Sequence, residues 1–364
     1  MAFLEIDSLR KVFDDTVAVD DVSFDVEEGD FVTVVGPSGC GKTTTLLNIA
    51  GLQRPTSGSI RIRGEDLTDL PAYKRDIGVV FQDYALFPHK TVAENIAFGL
   101  KMRGEDAETR RDVVSEMLEM TNLEGYEDVY PHQCSGGEQQ RVAVARALAF
   151  DPDLVLMDEP LSNLDKKLRG TMRTELKRIQ RETGVTTVYV THNQTEALSM
   201  GDKLAVMNDG RLEQYADPKT AYQEPASPFV ANFLGQSTRF DGTLHRDGER
   251  PYVDVGDASV AVSEDGALGD GDDVAVFFRN ELVSFAYDRP DGENVFEGTV
   301  RDVDYQGRDV VYYVDVPALG EVVQVSGKSG RARKTIMEAG EDVWLHVDPA
   351  DVVYTARDRA TVSA

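Results

Sequence analysis

The residues of this sequence that could do chemistry begin with a glycine-rich stretch that contains one lysine. It reads Gly36-Pro37-Ser38-Gly39-Cys40-Gly41-Lys42-Thr43 and fits the pattern G-x-x-x-x-G-K-[ST] without a gap. Backbone N–H groups of such a loop close around phosphate oxygens, Lys42 adds a point charge, and Thr43 offers a hydroxyl ligand to Mg²⁺. The stretch therefore predicts a site for a nucleoside triphosphate with Mg²⁺.

The neighbouring residues supply the strand and the helix that such a loop requires. Residues 30–35 form a predicted buried strand that enters the loop, and residues 44–50 form a predicted helix that leaves it. The dipole at the N-terminus of that helix favours negative charge. We therefore include Thr44 with the loop residues in the predicted nucleotide site.

A pair of carboxylates follows a second predicted strand. The apolar run of residues 154–157 ends in Asp158 and Glu159. A carboxylate at the end of such a strand holds Mg²⁺ through water, so we predict that Asp158 is a metal ligand. Glu159 is placed to accept a proton from an attacking water. Alone, an apolar run that ends in Asp-Glu is equally typical of a plain strand terminus.

A second anion-binding element is predicted at the start of another helix, where Ser135 and the amides of Gly136 and Gly137 lie at the N-terminus. This segment, Cys134-Ser135-Gly136-Gly137-Glu138-Gln139-Gln140-Arg141, resembles the signature motif of ATP-binding cassette (ABC) transporter ATPases. The resemblance implies a head-to-tail dimer with a second copy or a paralogous ATPase subunit. Two ATP molecules are then sandwiched, each signature helix covering the nucleotide held by the other chain.

The resemblance extends to single positions outside these motifs. It implies that Gln82 contacts Mg²⁺ and the attacking water, that His192 contacts the γ-phosphate, and that Phe13 stacks on adenine. It also implies that residues 161–165 cross the dimer interface, with Asp165 closing it. Outside that context, Gln82 is an ordinary turn residue, a lone histidine is more often structural, and an aromatic residue at a strand end is usually core.

Two positions depart from the family pattern. Cys134 and Glu138 stand where the signature usually has Leu and Gln, so contacts of this helix to the partner's nucleotide are expected to differ. Cys40 lies inside the phosphate loop, and we expect it to line the nucleotide site and to react readily with a maleimide. Cys134 is expected to be packed and slow to react.

The order of elements predicts two domains. Up to about residue 235 strands alternate with helices, which indicates a parallel sheet, and residues 88–150 are expected to form a helical subdomain. Beyond residue 235, short alternating strands separated by Gly and Asp turns indicate a β domain. The predicted fold class is an α/β P-loop NTPase of ABC type with a helical signature subdomain (1–235). An all-β, OB-like barrel follows (236–364), similar to the transport-associated domain of importer ATPases.

Composition argues against some partners. The 364 residues include 65 acidic and 38 basic side chains, for a formal net charge of −27. Such a charge argues against nucleic acid as a partner, and its spread along the chain is typical of proteins from a salt-rich cytoplasm. The two cysteines suit a reducing compartment. No run approaches the ~20 apolar residues needed to span a bilayer, so any membrane role is predicted to be peripheral.

The resemblance and the composition predict the ATPase subunit of an ABC importer at the cytoplasmic face of the membrane. It would drive transmembrane permease subunits that receive solute from an extracellular binding protein, and exposed aromatics in residues 84–89 would contact the permease.

Residues 225–238 favour the group of importers for polyamines, ferric iron and thiamine, while a sugar importer is a remaining alternative. A soluble ABC ATPase of translation or repair would show tandem cassettes or a long coiled coil, and neither appears. A regulatory role for the C-terminal barrel also stays open.

Overall fold

The computed structural model describes residues 2–246, 250–263, 268–307, 309–328 and 337–357. The chain divides into two compact units, one that ends at Pro218 and one that begins at Lys219. This division falls before residue 235, where the sequence predicted the domain boundary.

The first unit contains two sheets. Its strands are β1 (Leu4–Phe13), β2 (Thr16–Val26), β3 (Phe31–Val35), β4 (Ser57–Ile62), β5 (Glu65–Asp66), β6 (Ile77–Val80), β7 (Leu154–Asp158), β8 (Thr186–Thr191), β9 (Lys203–Asn208) and β10 (Arg211–Ala216). One sheet is antiparallel, with the order β2-β1-β4-β5. The other has the order β10-β9-β3-β8-β7-β6, in which only the β9-β10 hairpin is antiparallel.

The middle strands of the parallel sheet have no polar face. Every residue of β3, β7 and β8 is buried, as expected for parallel strands that are covered on both faces. Because these strands run in the same direction, their carboxyl ends meet at one edge of the sheet, where ligands bind in open α/β folds. Gly36, Glu159 and His192 follow the strands at that edge.

Helices cover this sheet. They are α1 (Lys42–Ile49), α2 (Val92–Ile96), α3 (Phe98–Arg103), α4 (Ala107–Met120), α5 (Gly136–Leu148), α6 (Lys166–Thr183) and α7 (Gln194–Met200). Helices α2 to α5 come between β6 and β7 in the chain, and they share one apolar core with β7, represented by Ile96, Leu118, Val144 and Met157. No helix in the described ranges is both long and apolar enough to cross a membrane.

The second unit is built on two antiparallel sheets. Its elements are α8 (Pro218–Gln223), α9 (Pro228–Leu234), β11 (Ser237–His245), β12 (Tyr252–Val255), β13 (Ala258–Ala261), β14 (Asp273–Arg279), β15 (Ser284–Ala286), β16 (Val295–Tyr305), β17 (Asp309–Val316), β18 (Glu321–Lys328), β19 (Asp342–His346) and β20 (Val352–Ala356). The sheet orders are β13-β12-β11-β14-β20 and β15-β19-β16-β17-β18. One core joins both sheets, with Val276 and Phe278 from the first and Phe296 and Val314 from the second.

The two short helices that precede the first of these sheets explain why the second unit begins before residue 235. Ala231 of α9 clusters with Ala275 and Phe277 of β14. The fully buried Arg279 guanidinium donates to the carbonyl oxygens of Ala231 at 2.5 Å and Tyr222 at 3.0 Å. Helices α8 and α9 therefore pack with the β-sheets that follow them.

Candidate functional site

The glycine-rich loop joins β3 to α1, and contacts with other strands fix two of its glycines. A Cβ atom at Gly36 would lie 2.2 Å from the carbonyl oxygen of Met207, and one at Gly41 would lie 2.4 Å from that of Ala18. Gly41 also has a φ of 98°, which residues with a side chain rarely adopt. The loop backbone is thus pressed against β2 and β9, and only glycine fits at both positions.

Lys42 holds its positive charge inside this loop. Its side chain is 5% exposed, and its Nζ donates to the carbonyl oxygens of Gly36 at 2.9 Å and Pro37 at 2.8 Å. Ser38 and Gly39, at the tip of the loop, are exposed. The loop therefore surrounds a cation and offers open space at its tip, as a triphosphate cradle requires.

Thr43 and Asp158 come together at the sheet edge. The Thr43 hydroxyl donates to the Asp158 carboxylate at 3.0 Å. Burial raises the pKa of Asp158, with a smaller contribution from Glu159, while the Thr43 hydrogen bond and Lys42 oppose the shift. A bound cation would offset the cost of keeping this buried carboxylate ionised.

The oxygen atoms of Thr43 and Asp158 fit Mg²⁺, which prefers hydroxyl, carboxylate and water oxygens and usually takes only one or two protein carboxylates. In the described part of the chain, no group of three or more His, Cys, Asp or Glu residues is arranged to hold a metal. A Mg²⁺ ion at this position would therefore complete its ligand shell with phosphate and water oxygens.

Glu159 and His192 form the next contact along the edge. The Glu159 carboxylate lies 2.7 Å from Nδ1 of His192. An ionised carboxylate can only accept, so Nδ1 carries the shared hydrogen and the imidazole Nε2 is left to face other groups. The Glu159 side chain is 18% exposed and the His192 side chain is 51% exposed, so the pair is open to solvent on the histidine side.

A buried carboxylate that the sequence analysis missed supports the His192 turn. Glu196 is 4% exposed and accepts hydrogen bonds from the hydroxyls of Tyr189 at 2.7 Å and Thr191 at 2.9 Å. Burial, reinforced by Glu196, raises the pKa of Tyr189 well above its ordinary value. The sequence signal that could have revealed Glu196 is its position in the first turn of α7, four residues after His192.

The predicted interface loop, residues 161–165, is held from within its own chain. Arg169 donates to the carbonyl oxygens of Leu161 at 3.2 Å, Ser162 at 3.2 Å and Leu164 at 3.0 Å. The Asp165 carboxylate caps α6 by accepting from the amides of residues 167 and 168 at 3.0 Å each. The sequence alone gave no signal for Arg169, because its partners are carbonyl groups.

Gln82 follows β6 and is exposed. Its carbonyl oxygen accepts a hydrogen bond from the side chain of Asn163 at 2.9 Å.

Phe13 ends β1 with 41% of its surface exposed, and the Lys11 ammonium lies 4.8 Å from its ring centre. The predicted adenine contact of Phe13 stays a prediction.

The signature segment opens α5 with a reciprocal cap. Ser135 N donates to the Glu138 carboxylate at 2.7 Å, Glu138 N donates to the Ser135 hydroxyl at 3.4 Å, and the Tyr126 hydroxyl donates to the same carboxylate at 2.6 Å. Tyr126 and, after it, Ser135 lower the pKa of Glu138. These side-chain hydrogen bonds all stay within residues 126–138.

Of the two signature glycines, Gly136 faces the 161–165 loop and Gly137 faces α6 of the same chain. A Cβ atom at Gly136 would lie 3.3 Å from Leu164, and one at Gly137 would lie 3.2 Å from Leu168. Among the described residues, hydrogen bonds join Thr43 to Asp158 and Glu159 to His192, whereas the hydrogen bonds between Ser135 and Glu138 do not reach the phosphate loop. The structure thus assembles one half of the predicted site within a single chain.

The expected difference between the two cysteines is wrong. The Cys40 side chain is 3% exposed and Cys134 is 8% exposed, and burial raises the pKa of both thiols. Cys40 belongs to the apolar core beneath the loop because its side chain points away from the open tip. Its thiol lies 3.7 Å from the Lys42 ammonium and is closed off from solvent.

The prediction that the aromatics of residues 84–89 are exposed is wrong for Tyr84. Tyr84 is 6% exposed because its ring packs into the core of the helical segment. Phe87 is half-buried, with its ring centre 4.5 Å from that of Phe98. Any partner at this segment would meet Phe87 and the exposed Pro88 and His89.

Comparison with known families gives two matches. A model described as ABC transporter matches residues 19–162, and one described as TOBE domain matches residues 276–354. A spermidine/putrescine import ATP-binding protein, PotA, of Thermobifida fusca is 45% identical over 92% of this chain and 87% of its own. A ferric-ion import ATP-binding protein, FbpC, of Pasteurella multocida is 49% identical over 67% of this chain and 70% of its own.

Solved structures agree with these matches. The cbiO1 protein of Clostridium perfringens, part of an ABC transporter complex, has a TM-score of 0.57 and 28% identity, and covers 61% of this chain and 91% of its own. An ATP-binding cassette in a dimeric post-hydrolysis state with ADP and Pi has a TM-score of 0.53 and 34% identity, and covers 59% of this chain and 98% of its own. The predicted fold class is confirmed by these matches.

Proposed function

Because the chain belongs to the ABC transporter family, as the ATP-hydrolysing subunit of an import system, we propose that its ATPase site consists of the phosphate loop, Asp158, Glu159 and His192. The observation that carries this proposal is the 2.7 Å contact between the Glu159 carboxylate and His192. Glu159 directly follows Asp158, which accepts the hydrogen bond from Thr43. The proposed base and a proposed metal ligand are therefore adjacent in the chain.

Each side chain has a role that its contacts support. Lys42 stabilises negative charge on the γ-phosphate from inside the loop, and Glu159 accepts a proton from the attacking water. His192 donates to Glu159 and so fixes the direction of that carboxylate. Gln82, which is exposed, would orient the attacking water, as in other phosphoryl-transfer sites that use a glutamine.

Thr43 and Asp158 would hold Mg²⁺, with Gln82 as a further ligand. Bound Mg²⁺ would neutralise negative charge on the phosphate oxygens. Gly39, Cys40 and Gly41 contribute backbone amides to ATP, and Thr44 extends this contact into the first turn of α1.

The second half of the site comes from another copy of the chain or a paralogue. Among the residues that the structure describes, the side-chain hydrogen bonds of Ser135 join it to Glu138 and not to the phosphate loop, yet a helix N-terminus with two glycines is an anion site. A two-fold axis would bring the signature helix of each subunit over the nucleotide of the other, with Asp165 at the interface. The dimeric cassette that holds ADP and Pi supports this arrangement.

A substitution of the proposed base tests both the site and the dimer. With ATP and Mg²⁺, Glu159→Gln protein should elute as a dimer in size-exclusion chromatography, because ATP stays bound and is not hydrolysed. Lys42→Ala should elute as a monomer, and Glu124→Gln, at an exposed position, should behave as the parent protein. A Glu159→Gln protein that stays monomeric with ATP bound would sink the sandwich proposal.

We propose that the solute is a polyamine. The PotA relative is matched over 92% of this chain, whereas the FbpC relative is matched over 67%, so the polyamine importer resembles more of this chain. The subunit would act at the cytoplasmic face of the membrane on permease subunits that are served by an extracellular binding protein. Ferric iron is the second candidate, because the FbpC match has the higher identity of the two.

Uptake assays distinguish these solutes. Deletion of the gene should abolish uptake of labelled spermidine or putrescine, and the intact gene but not its Lys42→Ala version should restore it. Loss of ferric-iron or sugar uptake with normal polyamine uptake would refute the polyamine proposal while leaving the ATPase site untouched.

We also propose that the protein is adapted to a salt-rich cytoplasm. The support is the excess of 65 acidic over 38 basic residues, which is spread over both units.

A further inference from the structure

The turn that follows Gln82 has an unfavourable backbone conformation. Tyr84 has a φ of 63° and Ala85 a φ of 46°, so two successive residues that carry a Cβ lie in the left-handed region. Such residues stay there only when surrounding contacts hold them, and they are frequent at functional sites. The contacts that hold this turn are therefore informative.

The side chain of Arg146, in the last turn of α5, reaches the turn. Its guanidinium donates to the carbonyl oxygen of Ala85 at 2.7 Å and to that of Tyr84 at 2.8 Å. It also lies 5.8 Å from the ring centre of Phe87. A planar guanidinium presents two donors at a fixed angle, which the single ammonium of a lysine cannot do.

Among the residues that the structure describes, no carboxylate forms an ion pair with Arg146. Burial lowers the pKa of Arg146. Burying a charged group is unfavourable unless it is hydrogen-bonded, and here the two carbonyl groups of the turn provide that compensation. The side chain is thus matched to the turn and not to a surface ion pair.

Other contacts fix the two ends of the segment. Asn163 of the predicted interface loop donates to the carbonyl oxygen of Gln82 at 2.9 Å. The fully buried Asn95 accepts from Phe87 N at 2.8 Å. Between these anchors Arg146 holds the middle. Gln82 is exposed and follows β6, whose Val80 pairs with Met157 of β7, the residue before Asp158.

We propose that Arg146 is a positioning residue for Gln82. By locking the left-handed turn at Tyr84 and Ala85, it sets where the Gln82 side chain stands relative to Thr43 and Asp158. Because Arg146 belongs to the helix that starts with the signature segment, a displacement of α5 is transmitted to Gln82 through this contact. The inference rests on the proposed role of Gln82 in ATP hydrolysis.

A kinetic comparison of Arg146→Met with the parent protein gives the first test. Methionine keeps most of the side-chain length and loses every donor. We expect kcat for ATP hydrolysis to fall about 10-fold, since small misplacements of a reacting group cost up to about 100-fold. KM for ATP should stay within about 2-fold, because the phosphate loop is not touched. Arg173→Met, which removes a half-buried arginine of α6, should keep the parent kcat.

Combination with Gln82→Ala separates positioning from general destabilisation. If Arg146 acts through Gln82, then adding Arg146→Met to Gln82→Ala should lower kcat no further than Gln82→Ala alone. Losses that multiply would overturn the inference. A Gln82→Ala protein as active as the parent would instead refute the proposed role of Gln82, so the two failures are distinguishable.

Glycine at position 85 provides the rescue. Glycine adopts a positive φ without a steric penalty, so Ala85→Gly should recover part of the kcat lost in Arg146→Met. A merely packed arginine would not be rescued in this way, and absence of rescue counts against the inference. If the Arg146→Met protein does not fold, Arg146→Lys replaces it, alone and combined with Gln82→Ala or Ala85→Gly. The same kcat comparisons then decide the inference.

Discussion

At the scale of single residues, the conformation of Glu159 is set by its neighbours. Its φ is 44°, its N–H donates to the carbonyl oxygen of Val190 at 3.0 Å, and its own carbonyl accepts from the Ser162 hydroxyl at 2.8 Å. These bonds hold a left-handed residue at the end of β7 and aim its carboxylate at His192. The strain is therefore located at the proposed base, where it preorganises the site.

The contact between Glu159 and His192 predicts a selective effect on turnover. His192→Ala should lower kcat for ATP hydrolysis about 100-fold, because an unoriented base loses most of the benefit of general base catalysis. ATP affinity, measured by titration with a fluorescent analogue, should change little, since the phosphate loop is intact. His346→Ala, in the second unit, is the matched control and should keep the parent kcat. A His192→Ala protein with normal turnover would show that the contact has no catalytic role.

The two cysteines predict slow chemical labelling. Burial raises the pKa of both thiols, so less reactive thiolate is present at neutral pH than for a free cysteine. Treatment of the folded protein with a maleimide at pH 7 should label Cys40 and Cys134 slowly, at a rate that increases with pH. Mass spectrometry of tryptic peptides measures each site, with the urea-unfolded protein as the fast reference. Rapid labelling of Cys40 in the folded protein would mean that its thiol lines the open loop.

At the scale of elements, the N-terminus of α5 depends on an ionised Glu138. The hydrogen bonds from Tyr126 and Ser135 lower its pKa from the ordinary value of 4.5. A lowered folded-state pKa means that the cap contributes its full stability above pH 4.5 and loses it as the pH falls through the lower value.

Removal of the tyrosine hydroxyl tests this pH dependence. Tyr126→Phe should lower the free energy of unfolding at pH 7, because the Glu138 carboxylate loses a hydrogen-bond donor. The difference between the two proteins should stay constant between pH 8 and 6 and shrink only below the ordinary glutamate value of 4.5. Urea unfolding at each pH gives the difference, in which general acid destabilisation cancels. Tyr313→Phe, on β17, is the control and should show no such pH dependence.

The elements and part of the site follow from local sequence patterns. The loop at Gly36, the helix that follows it and the buried strand before Asp158 could be predicted, because backbone requirements and hydrophobic periodicity are local. The contacts of Arg146 with the Tyr84–Ala85 turn and of Arg169 with three carbonyl groups could not. Carbonyl groups occur at every residue, so no side-chain pattern marks the partner. The burial of Cys40 and Tyr84 also depends on elements that are distant in the sequence.

At the scale of the whole molecule, the charge excess decides the response to salt. Acidic residues outnumber basic ones 65 to 38. Arg63 pairs with both Glu28 and Asp153, and Arg178 pairs with both Glu175 and Glu182. Exposed ion pairs of this kind contribute about 0–1 kcal/mol each. Since carboxylates outnumber basic side chains by 27, repulsion between like charges outweighs the ion pairs.

This balance predicts that salt stabilises the fold. Raising KCl from about 0.1 M to 1 M shortens the Debye length from about 10 Å to about 3 Å, which screens repulsion between distant carboxylates more than it weakens pairs in direct contact. The Tm should therefore rise steadily with KCl. Potassium chloride is preferred to sulfate, because sulfate stabilises most proteins by exclusion from their surface.

A variant in which exposed carboxylates such as Asp288, Asp291 and Glu297 are replaced by their amides should show a smaller rise of Tm with KCl. A Tm that is unchanged or lower in molar KCl would contradict the proposed adaptation to salt, because screening would then remove more attraction than repulsion.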